Sequence, residues 1–288
     1  MQESVAFLFP GQGSQIIGMG AALANESKSA KLIFEQVNEA ISEDLFSLMK
    51  EGPAETLQLT RNAQPAIFAS SLAVVAAIEE RFGDINKHAS FAAGHSLGEY
   101  SALAASKCIG IADATRLLRI RGDAMQAATP IGTGAMAAII GSDINQIESL
   151  IAAFNLKKLS EIVQIANDNA PGQIVVSGEM SAINHLCDNS KELGVKRVLK
   201  LPVSAPFHCD LIQSASEELS KVINKYEFDE FKYDFYSNVT SEQCSNIQIP
   251  DLLVRQIVSR VRWREIIENM IQNGISTFIE VGPGNVLS

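Results

Sequence analysis

The stretch Gly94-His95-Ser96-Leu97-Gly98-Glu99-Tyr100 sets a serine between two glycines, directly after the apolar run Ser90-Phe91-Ala92-Ala93. Residues 100–105, which follow it, have a helix-like composition. A serine between glycines where a strand turns into a helix is typical of a nucleophile elbow, whose tight turn lifts the hydroxyl clear of the backbone. The free N–H groups that begin the helix point toward negative charge developing beside that oxygen. The pattern therefore predicts acyl chemistry on Ser96.

A serine nucleophile needs a base, because an unassisted hydroxyl is poorly reactive at neutral pH. The chain has four histidines: His88, His95, His185 and His208. His88 lies in a polar loop and His185 in the middle of a helix-like segment, so we expect both at the surface. His95 adjoins Ser96, and successive residues of a turn point apart. His208, in a turn with proline and phenylalanine, is therefore the predicted base; the alternative is a structural histidine that caps the following helix.

One arginine interrupts an apolar helix face. In the predicted helix Asp113 to Ala128, Arg121 shares its face with apolar residues at helical spacing, which are Ala114, Leu117, Leu118 and Met125. Arg116 and Arg119 fall largely on the other face, where we expect them to be solvated. Leaving a buried guanidinium unpaired costs several kcal/mol. Arg121 is therefore either half of a structural ion pair or a bidentate clamp for a substrate carboxylate.

A second glycine-containing loop, Pro10-Gly11-Gln12-Gly13-Ser14-Gln15, follows the predicted strand Val5 to Phe9. It lacks the third glycine of a dinucleotide-binding loop, because position 16 is isoleucine. The alternative is an oxyanion loop, in which Gln12 or a neighbouring N–H supplies a hydrogen-bond donor opposite the elbow.

Composition narrows the class of protein. The chain has 288 residues, 47% of them hydrophobic and 19% charged, as expected for a well-filled globular core. The formal net charge of −10 disfavours a nucleic-acid or membrane-surface binder. Its 4 isolated cysteines form neither a disulfide framework nor a zinc motif. The first residues carry no signal-peptide pattern, so we expect a cytoplasmic protein without a metal site.

The order of predicted elements indicates an α/β protein with an insertion. An α/β pattern of predicted helices and strands occupies residues 1–128. The same pattern resumes at residue 203, and its last helix is predicted at Asp251 to Gln272. Residues 129–202 have the order βαββαβ, which is ferredoxin-like, with a turn predicted at Asn167 to Gly172. We therefore predict an α/β-hydrolase-like large subdomain from 1–128 and 203–288, and an inserted ferredoxin-like small subdomain at 129–202.

Nine segments, in order over nearly the whole chain, match one family: FLFPGQGSQ (7–15), LTRNAQPAIFAS (59–70), GHSLGEYSALAA (94–105), RGDAMQ (121–126), NAPGQIVVSG (169–178), PVSAPFHC (202–209), SNVT (237–240), LLVRQIVSRVRW (252–263) and EVGPGNVL (280–287). Through them the chain resembles the malonyl-CoA:acyl-carrier-protein transacylases, which load malonyl units for fatty-acid synthesis. So many ordered matches are far more specific than an elbow motif alone.

The resemblance assigns a role to each candidate residue. It implies that Ser96 is the nucleophile that takes malonyl from coenzyme A, and that His208 is its base. It implies an oxyanion hole formed by the backbone N–H groups of Gln12 and Leu97. It also favours the clamp for Arg121, which would bind the free malonyl carboxylate.

By the same resemblance, the main-chain carbonyl of Gln256 orients His208, so that no acidic third member is needed. The implied partners are malonyl-CoA and acyl-carrier protein, with no cofactor, no nucleic acid and no membrane; we expect a monomer. Asn169 and Asn238 match polar family positions near the cleft and are not expected to be catalytic.

One departure and three alternatives accompany the resemblance. Arg260 stands where family members usually carry proline. An α/β-hydrolase-type esterase or thioesterase is the first alternative, although its histidine is expected after the last strand. An acyltransferase for another extender unit is the second, and a non-catalytic carrier-binding relative is the third. Because carrier proteins of this type are acidic, we predict a local basic dock, with candidates Lys196, Arg197, Lys200, Arg255, Arg260, Arg262 and Arg264.

Overall fold

The computed structural model describes residues 4–87, 89–130, 132–157, 161–203 and 205–288, and its strands form two separate sheets. The first sheet is parallel in the order β7-β2-β1-β8, and the second is antiparallel in the order β4-β5-β3-β6. The strands are β1 (Val5–Phe9), β2 (Phe91–Gly94), β3 (Gly134–Ile140), β4 (Val163–Ala170), β5 (Gln173–Glu179), β6 (Arg197–Lys200), β7 (Asp234–Tyr236) and β8 (Thr277–Glu280).

Helices surround the parallel sheet and flank the antiparallel one. They are α1 (Ala21–Glu26), α2 (Lys28–Ile41), α3 (Leu45–Glu51), α4 (Ala54–Gln58), α5 (Thr60–Phe82), α6 (Gly98–Ala105), α7 (Ile111–Ala127), α8 (Ile144–Lys157), α9 (Met180–Asp188), α10 (Gln213–Ile223), α11 (Ile249–Gln256) and α12 (Trp263–Gln272). Short 3₁₀ turns lie at Ile85–Lys87, Asp210–Ile212 and Asn246–Gln248. In the described ranges, every helix is too short or too polar to cross a membrane.

The parallel sheet brings the two glycine-containing loops together. β1 is an unbroken apolar run because both of its faces are covered, as is usual for parallel strands. Its last residue, Phe9, pairs with Gly94 at the end of β2. Loops that leave the carboxyl ends of adjacent parallel strands meet at one edge of the sheet, which is where α/β proteins place their sites. The loop after Phe9 and the elbow after Gly94 are therefore neighbours.

The second sheet has the connectivity that the sequence predicts. Its order of elements, β3-α8-β4-β5-α9-β6, is βαββαβ, and its antiparallel strand order is the ferredoxin-like one. It has its own core, in which Ile139, Ile147, Val176 and Ile183 are buried. The chain is therefore an α/β protein with an inserted ferredoxin-like unit, and we keep 129–202 as the proposed extent of that unit.

Two sequence predictions about secondary structure are wrong, and one contact explains both. The predicted helix Asp251 to Gln272 is two helices, α11 and α12, and the predicted turn Asn167 to Gly172 is largely the end of β4. Val261, in the break between the helices, forms a parallel bridge with Asn167. Its N–H donates to Ala166 O (2.8 Å) and its carbonyl accepts from Asp168 N–H (2.9 Å). Tertiary pairing of the two segments therefore overrides both local propensities.

Candidate active site

The elbow is a strand–turn–helix in which the two backbones touch. A Cβ on Gly94 would overlap the backbone of Gly98, and one on Gly98 would overlap the carbonyl of Phe9. Ser96, between them, has φ of 53°, a left-handed conformation that L residues rarely adopt. Its N–H donates to Asn238 Oδ1 (2.7 Å), and Asn238 Nδ2 donates to the carbonyl of Gly94 (2.7 Å). The glycines thus permit the turn, and Asn238 fixes it.

His208 lies against the serine and is poised to accept a proton. Its Nε2 is 2.9 Å from Ser96 Oγ, and its Nδ1 is 2.9 Å from the main-chain carbonyl of Gln256. Because a carbonyl only accepts, Nδ1 carries the proton and Nε2 presents its lone pair to the hydroxyl. Burial, reinforced by the charge of Arg121, lowers the pKa of His208 to about 3. Among the described residues, no carboxylate hydrogen-bonds to this ring.

Arg121 is buried on α7, 1% exposed, and its guanidinium reaches the nucleophile. Its Nη2 donates to Ser96 Oγ (3.0 Å) and to Gln256 Oε1 (2.7 Å), and its Nη1 donates to Gln64 Oε1 (2.8 Å). Its Nε has no hydrogen-bond partner within the described ranges. All these acceptors are neutral, so the guanidinium has no hydrogen-bonded counter-ion among the described residues. Such a guanidinium is suited to bind an anion beside Ser96.

Glu99 is a buried carboxyl that the sequence reasoning missed. It accepts hydrogen bonds from the N–H of Asn238 (2.6 Å) and from Gln256 Nε2. Burial raises the pKa of Glu99 to about 8, and no hydrogen bond joins its carboxyl to Arg121 in the described part of the chain. The signal available in the sequence was a polar residue at the start of the apolar helix α6, all of whose residues are buried.

Gln256 connects these groups. Its carbonyl oxygen contacts His208, its Oε1 accepts from Arg121, and its Nε2 donates to Ser96 O (2.8 Å) and to Glu99. The resemblance predicted only the main-chain contact. The second glutamine on Arg121, Gln64, was also missed; it is a buried polar residue within the apolar run of α5.

The N–H groups of Gln12 and Leu97 are the two donors that the resemblance implies for an oxyanion hole. Gly11 packs so closely on the elbow that a Cβ there would lie 2.7 Å from His95 O, which places the neighbouring Gln12 beside the turn. Leu97 precedes the first residue of α6. Neither the Gln12 N–H nor the Leu97 N–H donates to a protein acceptor in the described part of the chain. Both are available to a ligand oxygen.

The remaining histidines and Arg119 lie in different surroundings. His95 is held by Asn169 (Nε2 to Oδ1, 2.9 Å) and not by Ser96, and His185 is exposed; His88 lies outside the described residues. The expectation that Arg119 is solvated is wrong. It is 9% exposed and donates to Asn62 Oδ1 (3.1 Å) and Glu43 Oε2 (2.9 Å), because α5 and the segment before α3 cover that face of α7.

Four candidates for the basic dock are already paired with carboxylates. Arg255 contacts Asp251, Arg260 contacts Glu148 and Glu265, Arg262 contacts Glu265, and Arg264 contacts Asp168 and Glu268. Lys196, Arg197 and Lys200 have no carboxylate partner within the described ranges and lie in or beside the edge strand β6. These three residues are therefore the candidates for the predicted dock that have no carboxylate partner in the described ranges.

A cavity of about 450 Å³ leads to His208. One side is formed by Glu148, Ile151, Ala152, Val163, Gln164 and Ile165, from the inserted unit, and the other by His208, Val258 and Arg260. Its size is that of a small-ligand site.

In the described ranges, no group of three or more His, Cys, Asp or Glu side chains could hold a metal ion.

Comparison with known proteins gives one consistent result. Residues 6–288 match the family model described as acyl transferase domain. The chain is 42% identical to the malonyl CoA-acyl carrier protein transacylase of Bacillus subtilis (strain 168) over 287 residues, 99% of this chain and 89% of that protein. For the protein of that name from Escherichia coli (strain K12), the identity is 40% over 284 residues, with 98% and 90% covered.

Solved structures agree with these relatives. The acyl-carrier-protein-S-malonyltransferase of Bartonella henselae superposes with a TM-score of 0.94 at 44% identity, covering 99% of this chain and 90% of that one. A malonyl-transacylase solved in complex with a type II PKS acyl-carrier protein superposes with a TM-score of 0.93 at 39% identity, covering 99% and 91%.

Proposed function

The chain belongs to the malonyl CoA-acyl carrier protein transacylases, and from that we propose that it transfers malonyl from malonyl-CoA to the phosphopantetheine thiol of an acyl-carrier protein. The relatives of that name and the solved complex with a carrier protein support the donor and the acceptor. The proposed pathway is fatty-acid synthesis, in the cytoplasm and as a monomer. Free cysteines are consistent with a reducing compartment. Cell fractionation checks the proposed location, and size-exclusion chromatography checks the proposed monomeric state.

In the proposed first half-reaction, Ser96 Oγ attacks the thioester carbonyl while neutral His208 Nε2 takes its proton. The N–H groups of Gln12 and Leu97 stabilise the oxyanion of the tetrahedral intermediate. The intermediate collapses, the C–S bond breaks, and His208 returns the proton to the departing coenzyme A sulfur. A malonyl ester on Ser96 remains.

In the second half-reaction, the carrier's thiol attacks that ester and gives its proton to His208, which then protonates Ser96 as the ester bond breaks. One thioester is consumed and one is formed, so no nucleotide or metal is required by the balance of the reaction.

The single observation that carries this proposal is the contact of Arg121 with Ser96 Oγ, combined with the neutral character of all its partners. A malonyl group differs from an acetyl group by a carboxylate. A buried cation without a counter-ion beside the nucleophile selects for that carboxylate. An esterase for neutral acyl groups has no use for such a charge.

We expect incubation with malonyl-CoA to add one malonyl mass to the peptide that contains Ser96, and to add none in Ser96→Ala.

In Arg121→Ala, transfer from malonyl-CoA should fall roughly 100-fold or more, because a charge-assisted contact is lost, while transfer from acetyl-CoA stays level or rises. Arg116→Ala, at an exposed position on the same helix, is the matched control. Equal loss for both donors would refute the clamp, and rapid hydrolysis of the malonyl ester without acceptor would favour a thioesterase.

A further inference from the structure

Arg260 lines the same cavity as His208 and forms an ion pair across it. Its Nη1 donates to Glu148 Oε1 (3.0 Å), and its Nη2 donates to Glu265 Oε1 (3.1 Å). Glu148 belongs to α8 of the inserted unit, whereas Arg260 lies between α11 and α12 of the large unit. The ion pair therefore joins the two walls of the cavity that His208 lines.

The charge balance around Arg260 depends on Glu148. Glu265 is shared, because its second oxygen contacts Arg262 Nη2 (2.7 Å). Arg260 and Arg262 thus share the carboxylate of Glu265. Glu148 supplies the second negative charge that balances the pair of arginines. The Glu148 side chain is 53% exposed, against 24% for Arg260. Exposed ion pairs of this kind hold weakly, so Glu148 is the exchangeable partner, and its departure leaves an unbalanced guanidinium on the cavity wall.

The ligand that fits this position follows from the proposed function, on which this step rests. The acyl donor and the acceptor both carry sulfur at one end of a phosphopantetheine arm, as a thioester in the donor and a thiol in the acceptor, and a phosphate at the other end. Because His208 contacts Ser96 Oγ and also lines the cavity, we place the arm of a thioester bound at Ser96 along this cavity. A guanidinium on that path matches a phosphate in charge and in bidentate geometry.

We propose that Arg260 binds the phosphate of the phosphopantetheine arm, and that Glu148 occupies Arg260 until the phosphate displaces it. The displaced carboxylate, Glu148, belongs to the inserted unit. Binding of the phosphate therefore breaks the ion pair that joins the inserted unit to the large unit.

The test compares two donors that differ by one phosphate, malonyl-4′-phosphopantetheine and malonyl-pantetheine. In the wild-type enzyme, we expect the KM for the phosphorylated donor to be roughly tenfold lower. Arg260→Gln should abolish that difference by raising the KM for the phosphorylated donor, with kcat and the KM for malonyl-pantetheine unchanged. Glu148→Gln should widen the difference, because the competing carboxylate loses its charge. Arg260→Lys should be intermediate.

Kinetics with malonyl-pantetheine also report whether Arg260→Gln is correctly folded, and Arg116→Gln is the control for removal of a surface arginine. An unchanged KM ratio in Arg260→Gln would overturn the anchor while leaving the proposed function intact. An equal rise in KM for both donors would assign Arg260 to the shape of the cavity instead. Failure of the wild-type enzyme to malonylate Ser96 with either donor would count against the proposed function itself.

Discussion

Ser96 and His208 both have positive φ, 53° and 58°. Such strain persists only where the surroundings over-determine the conformation. Asn238 holds the N–H of Ser96, and Gln256 holds its carbonyl and the Nδ1 of His208. The hydroxyl and the imidazole are therefore positioned by their neighbours rather than by local backbone preference.

The low pKa of His208 predicts an unusual acid limb in the pH profile. Because the pKa is depressed to about 3, the imidazole is neutral, and able to act as a base, at all pH values above that. We expect kcat/KM for malonyl transfer to remain level from pH 7 down to about 5, well below the ordinary histidine range. An acid limb near pH 6.5 in the wild-type enzyme would contradict this prediction.

The same experiment on Arg121→Gln with acetyl-CoA separates the causes of that shift. Burial is the larger cause and remains in the variant, whereas the charge of Arg121 is removed. The acid limb should therefore move upward, by about one pH unit for a charge at this range, without reaching the ordinary value.

Single residues were predictable from sequence where a pattern isolates them. Ser96 stands between glycines, and Arg121 interrupts an apolar face. Arg119 and Glu99 were not predictable, because their burial depends on which distant segments cover them: Glu43 and Asn62 for the arginine, Asn238 and Gln256 for the carboxyl.

At the scale of elements, the contact between β2 and α6 should tolerate no side chain. In Gly94→Ala, the new Cβ would overlap the backbone of Gly98, so strand and helix must separate. We expect a loss of roughly 2–3 kcal/mol in the free energy of unfolding, measured by urea denaturation, together with loss of malonyl transfer as Ser96 moves. Gly110→Ala is the control, because its Cβ meets nothing within 4 Å. Equal stability of the two variants would contradict the close approach.

Elements with a strong local pattern were predicted from sequence; those shaped by distant contacts were not. β1 and β3 are continuous apolar runs and lie where the sequence places them. The break at Val261 could not be predicted, since its cause is the bridge to Asn167, 94 positions away along the chain. For the same reason the polar residues 167–169 form the end of a strand rather than a turn.

At the scale of the whole molecule, β4 and the segment before α12 join the two units. Besides the bridge at Val261, Arg264 donates to Asp168 from Nε (3.1 Å) and Nη2 (2.8 Å). Asp168 is 1% exposed. The joint lies beside His95 and Asn169, so it also fixes the inserted unit relative to the elbow.

Asp168→Asn should weaken this joint, because it removes the charge from a buried, bidentate contact while keeping its shape. We expect a loss of about 2–3 kcal/mol in the free energy of unfolding. Asp251→Asn, which breaks the exposed pair with Arg255, should change it by less than about 1 kcal/mol. Urea denaturation of both variants measures the difference. Similar values for the two would show that Asp168 does not hold the units together.

The contacts of Gln256 also bear on how such a molecule can diversify. Its main-chain carbonyl serves the base, and its side chain serves both the nucleophile and the guanidinium, so a substitution there disturbs at least the last two functions in a single step. Gln64 contacts the guanidinium from the other side and touches neither Ser96 nor His208. Descendants that accept uncharged acyl groups are therefore expected to have changed at Gln64 and Arg121 first, with Gln256 constrained throughout.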